Sequence, residues 1–377
     1  MCAMDASARQ RVLRLAGAAA ALVALAVLVV VARREPPAPE AAPAPAPTIA
    51  APTQTGPAPT RTGPTSRVPL APAVPPELLA LVAEGGLAPP IPVLQDGVPV
   101  QAQALAADGT LVAGAGFDFD PYRAPPRTGV VRPGADAVRW VPLDRDAISY
   151  AAGDGLIAWT AHVEEAHDFD VLCARADEGW KPIRISAGGA RVPAAPQASG
   201  RTVAWTDEQG VAWVSENCGA ARRVGEGEVV ALSGGDLFLR AGREGGQVNR
   251  VDLATGRARP VSIAFDGPAI FAASETFVVW VRQGRLNVYD RATGAIRRIE
   301  DDLPSGAGVN GAIDTLTVGR HLAVYASRPM DGDPALAKAF VVDLTGIAGV
   351  RLGAEAFVAG DRIAWREGDH YTVARAR

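Results

Sequence analysis

The chain has 377 residues, of which 48% are apolar, so it has room for one large domain or two ordinary ones with a substantial core. Its net charge is −4 and unevenly spread: residues 1–35 carry +3, residues 36–76 carry +1, and residues 77–377 therefore carry −8. An acidic globular part lacks the clustered Lys and Arg that neutralise phosphates. We therefore expect no nucleic-acid partner.

The first recognisable element is an apolar segment, residues 15–32, which has 18 residues and no polar side chain. A helix of that length spans about 27 Å and can cross a bilayer. Arg9, Arg11 and Arg14 precede it, which favours a cytoplasmic tail over residues 1–14. We predict a single-pass signal anchor in the cytoplasmic membrane, with the rest of the chain in the periplasm or at the cell surface. The alternative is a cleaved signal peptide and a secreted protein.

The next segment, residues 33–76, is rich in Ala, Pro and Thr. Proline fixes φ and removes a backbone donor, so this stretch predicts a disordered, extended linker of polyproline type. We interpret it as a stalk rather than as an SH3-type ligand, because it has few of the basic residues that orient such ligands. Residues 77–86 predict one short helix that ends at two glycines.

Residues 87–377 contain a recurring unit, in which a small or turn residue precedes an apolar strand that ends in an aromatic side chain. Two weaker copies have Gly114 and Arg240 in the aromatic position. The positions are spaced 35 to 46 residues apart, which is typical of a four-stranded propeller blade. The seven positions are Gly114, Trp159, Trp205, Arg240, Trp280, Tyr325 and Trp365.

Further apolar runs follow each aromatic strand, and several end in a Thr-Gly turn, as in residues 248–256 and 285–294. The last unit has three strands, so its sheet would keep an open edge. We predict that residues 91–102 supply the missing outer strand and close the ring. The predicted fold is all-β, a seven-bladed β-propeller. The alternative is a six-bladed ring with the weak first unit partly outside it.

Two stretches, GLIAWTAHVEEAHDFDVLCAR (residues 155–175) and FVVWVRQGRLNVYDRATGAIRRI (residues 277–299), resemble the repeats of TolB-like propellers, relatives of the WD-repeat proteins. Those repeats run from an apolar strand with a terminal aromatic, through a polar loop, to another strand and a Thr-Gly turn. The Pro-Asp-Gly turn of that family is reduced here to Asp108-Gly109 or to Gly-Asp variants. The resemblance covers about residues 90–377. It implies protein interaction outside the cytoplasm and carries over no catalytic residue.

Three loops that follow strands of the repeat each contain two Asp residues separated by one other residue. Paired carboxylates of this kind can offer oxygens to calcium. None of the loops matches the EF-hand pattern, and Asp is also a common turn residue. Calcium is therefore the one cofactor that we consider, with ordinary hairpin turns as the alternative. The candidate ligands are Asp118, Asp120, Asp168, Asp170, Asp331 and Asp333.

Two of the three cysteines, Cys173 and Cys218, fall in corresponding third-strand regions of neighbouring blades. Outside the cytoplasm a disulfide between them is permitted if their Cα atoms come close enough, and two buried thiols are the alternative. We interpret the aromatic series as packing between blades rather than as sugar-stacking residues, because bulky rings fill the wedge between twisted sheets.

The sequence offers no clear catalytic constellation: G-x-S-x-G is absent, and the nearest match, around Ser233, lacks the first glycine. We therefore expect a non-enzymatic binding or scaffolding propeller whose partner is a protein or a cell-envelope component. One alternative is a metal-dependent hydrolase or lactonase-like propeller enzyme. The other is a ligand sensor, which would need a membrane partner because residues 1–14 are too few for a cytoplasmic signalling domain.

Overall fold

The computed structural model describes the repeat region and the chain that leads into it. The described ranges are 75–78, 80–87, 91–92, 94–95, 98–115, 127–132, 135, 138–142, 147–163, 168–186, 195–242, 245–266, 269–282, 285–299, 312–329, 338–346, 348–368 and 370–377. Residues 1–74, which include the expected membrane segment and almost all of the linker, lie outside them. Among the described residues, no helix is long and apolar enough to cross a membrane.

The described residues form seven antiparallel sheets, which are the blades, and two short 3-10 helices. Blade 1 contains β3 (Leu94–Gln95), β4 (Val98–Leu105), β5 (Leu111–Ala115), β6 (Arg127–Val131) and β7 (Arg139–Val141). Blade 2 contains β8 (Ala147–Gly153), β9 (Leu156–Val163), β10 (Asp168–Arg175) and β11 (Ile183–Arg184). Blade 3 contains β12 (Gln197–Ser199), β13 (Thr202–Thr206), β14 (Val211–Glu216) and β15 (Arg222–Glu226).

The remaining blades follow in chain order. Blade 4 contains β16 (Glu228–Ser233), β17 (Asp236–Arg240), β18 (Gly245–Asp252) and β19 (Ala258–Asp266). Blade 5 contains β20 (Ile270–Ala273), β21 (Phe277–Arg282), β22 (Arg285–Asp290) and β23 (Ile296–Ile299). Blade 6 contains β24 (Ala312–Val318), β25 (Leu322–Pro329), β26 (Lys338–Asp343) and β27 (Ala348–Leu352). Blade 7 contains β28 (Ala356–Ala359), β29 (Arg362–Glu367), β30 (His370–Ala376), β1 (Val82–Leu87) and β2 (Ile91–Pro92). The 3-10 helices are η1 (Pro76–Leu78) and η2 (Ala176–Glu178).

The four main strands of each blade are called A to D from the centre outward, strand A being β4, β8, β12, β16, β20, β24 or β28. Neighbouring A strands contact one another in a closed circle, in which β28 of blade 7 contacts β4 of blade 1. The seven-bladed β-propeller is thereby confirmed. The six-bladed alternative is wrong, because the weak first unit forms a complete blade.

All seven repeat positions lie on strand B of their blades, and the five aromatic side chains among them are 1% to 6% exposed. Trp159 of blade 2 shows the reason, since it shares one apolar cluster with Val130 and Val141 of blade 1. Bulky rings at this position fill the space between two twisted sheets. The interpretation of the aromatic series as packing between blades is therefore confirmed.

The ring is closed by a segment that precedes blade 1 in the sequence. Val82 pairs with Ala376 and Ile91 pairs with Tyr371, so β1 and β2 both cover the outer edge of β30. Closure by a segment before blade 1 was expected, but the prediction that residues 91–102 supply the closing strand is wrong for all but Ile91–Pro92. The second half of residues 91–102 belongs to β4, strand A of blade 1.

The helix expected over residues 77–86 is also wrong. The structure has only the three-residue η1 there, and strand β1 follows it. The leucine-rich sequence favours a helix locally, but helix propensity is a weak preference that tertiary pairing readily overrides. Here the strand satisfies the backbone groups at the open edge of β30.

The A–B turns of successive blades pack backbone against backbone around the centre. The Asp154 N–H donates to the Gly200 carbonyl at 2.6 Å, and the Arg320 N–H donates to the Gly360 carbonyl at 2.6 Å. A Cβ on Gly319 would lie 2.5 Å from that same Gly360 oxygen, which no side chain tolerates. At Gly153 and Gly319 the small residue before the repeat strand is therefore required by this close approach.

Candidate functional site

The acidic pairs predicted from the sequence are mostly not described. Asp118, Asp120, Asp331 and Asp333 lie outside the described residues, and so does the side chain of Asp168. Calcium binding at these loops stays a prediction.

The one acidic side chain of that set that the structure describes is Asp170, which is 3% exposed. Its Oδ1 lies 2.8 Å from Nη2 of Arg184 and accepts a hydrogen bond from the Ser186 hydroxyl at 3.3 Å. The carboxylate is thus engaged within blade 2. In the described ranges, no group of three or more His, Cys, Asp or Glu side chains is placed to hold a metal ion.

Cys173 and Cys218 are joined by a disulfide bond in the structure, and their Cα atoms are 5.6 Å apart. Cys173 lies on β10 of blade 2, and Cys218 follows β14 of blade 3. Both side chains belong to the apolar cluster between these blades, together with Trp205. The bond therefore links two adjacent blades across their packed interface.

The A–B and C–D turns lie at the same end of the blades, and we call this end of the ring the turn face. In blade 7 the end of β30 takes the place of the C–D turn, because strand D comes from β1. In blades 2 to 7, a main-chain N–H just after strand C, or at its end, donates to a carbonyl of the A–B turn. The donor and acceptor pairs are Ala176 and Gly155, Asn217 and Arg201, Leu253 and Gly235, Arg291 and Thr276, Leu344 and His321, and Ala376 and Asp361. This repeated bond fixes the A–B turn of a blade relative to the end of strand C.

Arginines on D strands connect the turn face across blade boundaries. Arg139 of blade 1 donates to the Gly179 carbonyl of blade 2 at 3.2 Å, and Arg297 of blade 5 donates to the Leu344 carbonyl of blade 6 at 2.7 Å. Arg222 makes the corresponding bond from blade 3 to blade 4 at 3.0 Å. A charged side chain on an outermost strand also discourages edge-to-edge pairing between molecules.

Blades 4 and 5 are joined at the turn face by a partly buried charge cluster. Asp236 of blade 4 accepts hydrogen bonds from Arg291 of blade 5 and from Arg250 of its own blade, the latter at 2.7 Å. The Arg291 guanidinium also donates to the Ser274 carbonyl at 2.6 Å and lies 5.4 Å from the centre of the Phe238 ring. Burial lowers the pKa of Arg291, and the Asp236 carboxylate opposes that effect.

The C–D turns of blades 4, 5 and 6 each begin with an aspartate that caps the turn. The Thr255 N–H donates to Asp252 at 2.8 Å and lowers the pKa of that carboxyl. Thr293 does the same for Asp290 at 3.0 Å. Partial burial opposes ionisation of Asp343, but hydrogen bonds from its turn outweigh burial, and its pKa also lies below the ordinary value. These bonds shape the turns of the repeat.

The turn face contains a pocket of about 400 Å3 beneath blades 5, 6 and 7. Its walls come from the A–B turns of blades 5 and 6, the C–D turn of blade 6, the chain just before β1, and the end of β30. The side chains used below are Leu81, Phe277, Arg320, His321, Asp343 and Arg377. A pocket of this size lies in the range of small-ligand sites, about 300–1,000 Å3.

The described side chains at the pocket include two guanidinium groups, Arg320 and Arg377, and one carboxylate, Asp343. That carboxylate accepts hydrogen bonds from the N–H and the hydroxyl of Thr345 at 2.8 and 2.7 Å. Within the described part of the chain, no ion pair joins either arginine to a carboxylate side chain. Arg377 Nε donates to the Val82 carbonyl at 2.9 Å, so its Nη groups and the Arg320 guanidinium are the donors left for an anion.

A buried polar network joins blade 7 to blade 1 at the seam where the ring closes. The Tyr371 hydroxyl donates to Glu355 at 2.6 Å and accepts from the Ala102 N–H of blade 1 at 3.0 Å. Gln101 of blade 1 donates to the same carboxylate at 3.1 Å. Burial, reinforced by the Glu355 charge, raises the pKa of Tyr371, so the hydroxyl stays protonated and can donate.

Sequence reasoning missed both the pocket and the seam network. One signal for the pocket is present: Arg320-His321 stands in the A–B turn of blade 6, where blades 2, 3, 4 and 7 carry glycine. The seam network has no comparable signal, because Gln101 and Glu355 are 254 residues apart.

The chain matches no known family model and no curated protein. Among solved structures it is similar to BamB from Moraxella catarrhalis, with 14% identity, a TM-score of 0.42, and coverage of 74% of this chain and 84% of that one. It is also similar to TolB from Acinetobacter baumannii, with 12% identity, a TM-score of 0.40, and coverage of 74% of this chain and 79% of that one. A third similar structure is human WBSCR16, with 9% identity, a TM-score of 0.47, and coverage of 75% of this chain and 88% of that one. At these TM-scores the likenesses carry no information on function.

Proposed function

We propose that this chain is a non-enzymatic binding or scaffolding propeller, displayed outside the cytoplasmic membrane, which engages a protein or a cell-envelope component through its turn face. In this proposal residues 15–32 anchor the chain in the membrane. Residues 33–76 act as a stalk that reaches about 130 Å when fully extended as polyproline.

The observation that carries the proposal is the way in which the turn face is fixed. The same hydrogen bond from the end of strand C to the A–B turn recurs in six blades, and a disulfide, a charge cluster and D-strand arginines connect neighbouring blades. A surface that is already ordered loses little conformational entropy when a partner binds. Such a surface suits a platform that must present many turns in one arrangement.

Photo-cross-linking in intact cells tests this proposal. A photoreactive amino acid replaces Thr345, an exposed turn-face residue, in the full-length chain, and replaces Gln209 in a matched control. Gln209 is also exposed but lies in the B–C turn of blade 3, at the opposite end of the ring. A chain that begins at residue 75 serves as the unanchored control.

We expect one envelope protein to be linked stoichiometrically from position 345, not from position 209, and much more weakly with the unanchored chain. Linkage from position 209 alone would move the binding surface to the opposite end of the ring. Absence of a linked partner at both positions would overturn the proposal of a scaffold.

A further inference from the structure

We propose that the turn-face pocket beneath blades 5, 6 and 7 binds a small organic oxyanion, in which a phosphate or carboxylate group is attached to an apolar part. The proposal goes beyond the partner proposed above and does not depend on it, because a protein can dock elsewhere on the turn face.

The charge and the donors of the pocket point to an oxyanion. Arg320 and Arg377 bring two guanidinium groups to one cavity, and His321 adds an imidazole. Guanidinium groups present several N–H donors in a plane that matches carboxylate and phosphate oxygens. The nearby Asp343 keeps its charge, but its Oδ1 is held by the Thr345 turn, and no ion pair among the described residues joins it to either arginine.

The other walls define the remainder of the ligand. Ala80 and Leu81 supply accessible apolar surface at the pocket, whereas Phe277 is buried. Small-molecule sites combine apolar walls with a few placed polar groups, and this pocket has both kinds of wall. An anion with an apolar substituent therefore fits the pocket better than a bare inorganic ion.

The pocket is also coupled to the strand that closes the ring. The Arg377 N–H donates to the Leu81 carbonyl at 2.9 Å, and Arg377 Nε donates to the Val82 carbonyl at 2.9 Å. A ligand that contacts Arg377 and Leu81 would hold the entry to β1 in place. Binding should then slow hydrogen exchange of the β1 backbone.

Calorimetric titration of the full-length protein in a non-ionic detergent provides the test. The probes are phenyl phosphate and inorganic phosphate in one arm, and benzoate and acetate in the other. The variant is Arg320→Gln, and the matched control is Arg298→Gln on strand D of blade 5. Both arginines are exposed, and the Arg320 contact with Gly360 uses the main-chain N–H, which any residue retains.

We expect phenyl phosphate or benzoate to bind, and to bind more tightly than its small counterpart. Arg320→Gln should weaken that binding at least about tenfold, as expected for loss of a hydrogen bond to a charged group. Arg298→Gln should leave it unchanged. If the phosphate probe binds more tightly than the carboxylate probe, the preferred ligand group is a phosphate, and the opposite order indicates a carboxylate.

Hydrogen exchange with the bound probe gives the second readout. Saturation should slow exchange over residues 82–87 in the wild-type protein and in Arg298→Gln. The proposal is overturned if no probe binds at millimolar concentration, if Arg320→Gln binds as well as the wild type, or if exchange of β1 does not change.

Discussion

The junction between blades 2 and 3 and the seam between blades 7 and 1 are closed by different bonds. At the first, the Cys173–Cys218 disulfide crosses the interface, and Arg201 pairs with Asp177 across the turn face at 2.8 Å. At the seam, among the described residues, the hydrogen bonds of Tyr371 and apolar packing join the blades. One junction thus has a covalent bond and an ion pair across it, and the other is joined by hydrogen bonds, one of them from Gln101 to the Glu355 carboxylate.

The difference matters because the two contacts close chain segments of very different length. The disulfide closes a segment of 45 residues, whereas the bond from Ala102 to Tyr371 closes one of 269 residues. The entropy lost on closing a loop increases with its length. The weaker set of bonds therefore carries the larger entropic cost, and we infer that the ring opens at the seam first.

Removing the closing strands should produce the largest effect. A chain that begins at residue 93 lacks β1 and β2, so the edge of β30 loses its backbone partners. It also loses Leu78 and Val82 from the apolar cluster that contains Trp365. We expect loss of the cooperative thermal transition and aggregation on size-exclusion chromatography.

The matched control for this deletion is a chain that begins at residue 75 and keeps every strand that the structure describes. It should remain monomeric and melt cooperatively. If the chain that begins at residue 93 melted at the same temperature as this control, closure by β1 would be unimportant and the comparison of the two junctions would fail.

Removing the disulfide should have the next largest effect. In the chain-entropy description, a bond that closes a 45-residue loop stabilises the folded state by about 4 kcal/mol. The double variant Cys173→Ser, Cys218→Ser should lose free energy of unfolding up to that amount in urea titrations. Wild-type protein measured with a reductant should show the same loss, and an unchanged urea midpoint in both would contradict the prediction.

The blade count could be predicted because one local pattern sets it. Each strand B carries an apolar run before its wedge-filling position, so burial repeats at the spacing of the blades even where Gly114 or Arg240 replaces the aromatic. The closing strand could not be predicted in the same way. The helix-favouring stretch before the two glycines, residues 77–84, overlaps its first half, and only the distant edge of β30 makes residues 82–87 a strand.

The candidate site was less predictable than the fold. The cysteine pair was found because its two members occupy corresponding places in neighbouring repeats. The pocket draws Leu81, Phe277, Arg320 and Arg377 together from four separate parts of the chain, and no spacing in the sequence records that proximity.

Weakening the seam by a single atom should have a moderate effect. Tyr371→Phe removes the hydroxyl, which leaves the buried Glu355 carboxylate and the Ala102 N–H without this partner. We expect a loss of about 1–3 kcal/mol in the free energy of unfolding. Glu355→Gln in the same chain should restore part of the loss, because an amide is less costly to bury than a charge. Additive effects of the two changes would show that the groups are not coupled.

The smallest expected effect on stability comes from the aspartates that begin the C–D turns of blades 4 and 5, away from both junctions. The pKa values of Asp252 and Asp290 are lowered in the folded protein, chiefly by the N–H groups of Thr255 and Thr293. A carboxyl whose pKa is lower when folded stabilises the protein above its unfolded value of about 3.9. That contribution is lost as the pH falls through the folded pKa.

The double variant Asp252→Asn, Asp290→Asn separates this effect from the rest. Asparagine keeps a carbonyl oxygen for the turn hydrogen bonds but carries no charge, so the variant should be slightly less stable than the wild type at neutral pH. The difference in free energy of unfolding should shrink to zero between about pH 4 and pH 2. Both proteins should still lose stability in acid, because the pKa of Asp177 is also lowered, by hydrogen bonds from Arg201 and Arg175. A difference that stays constant over this range would mean that the turn charges contribute nothing to stability.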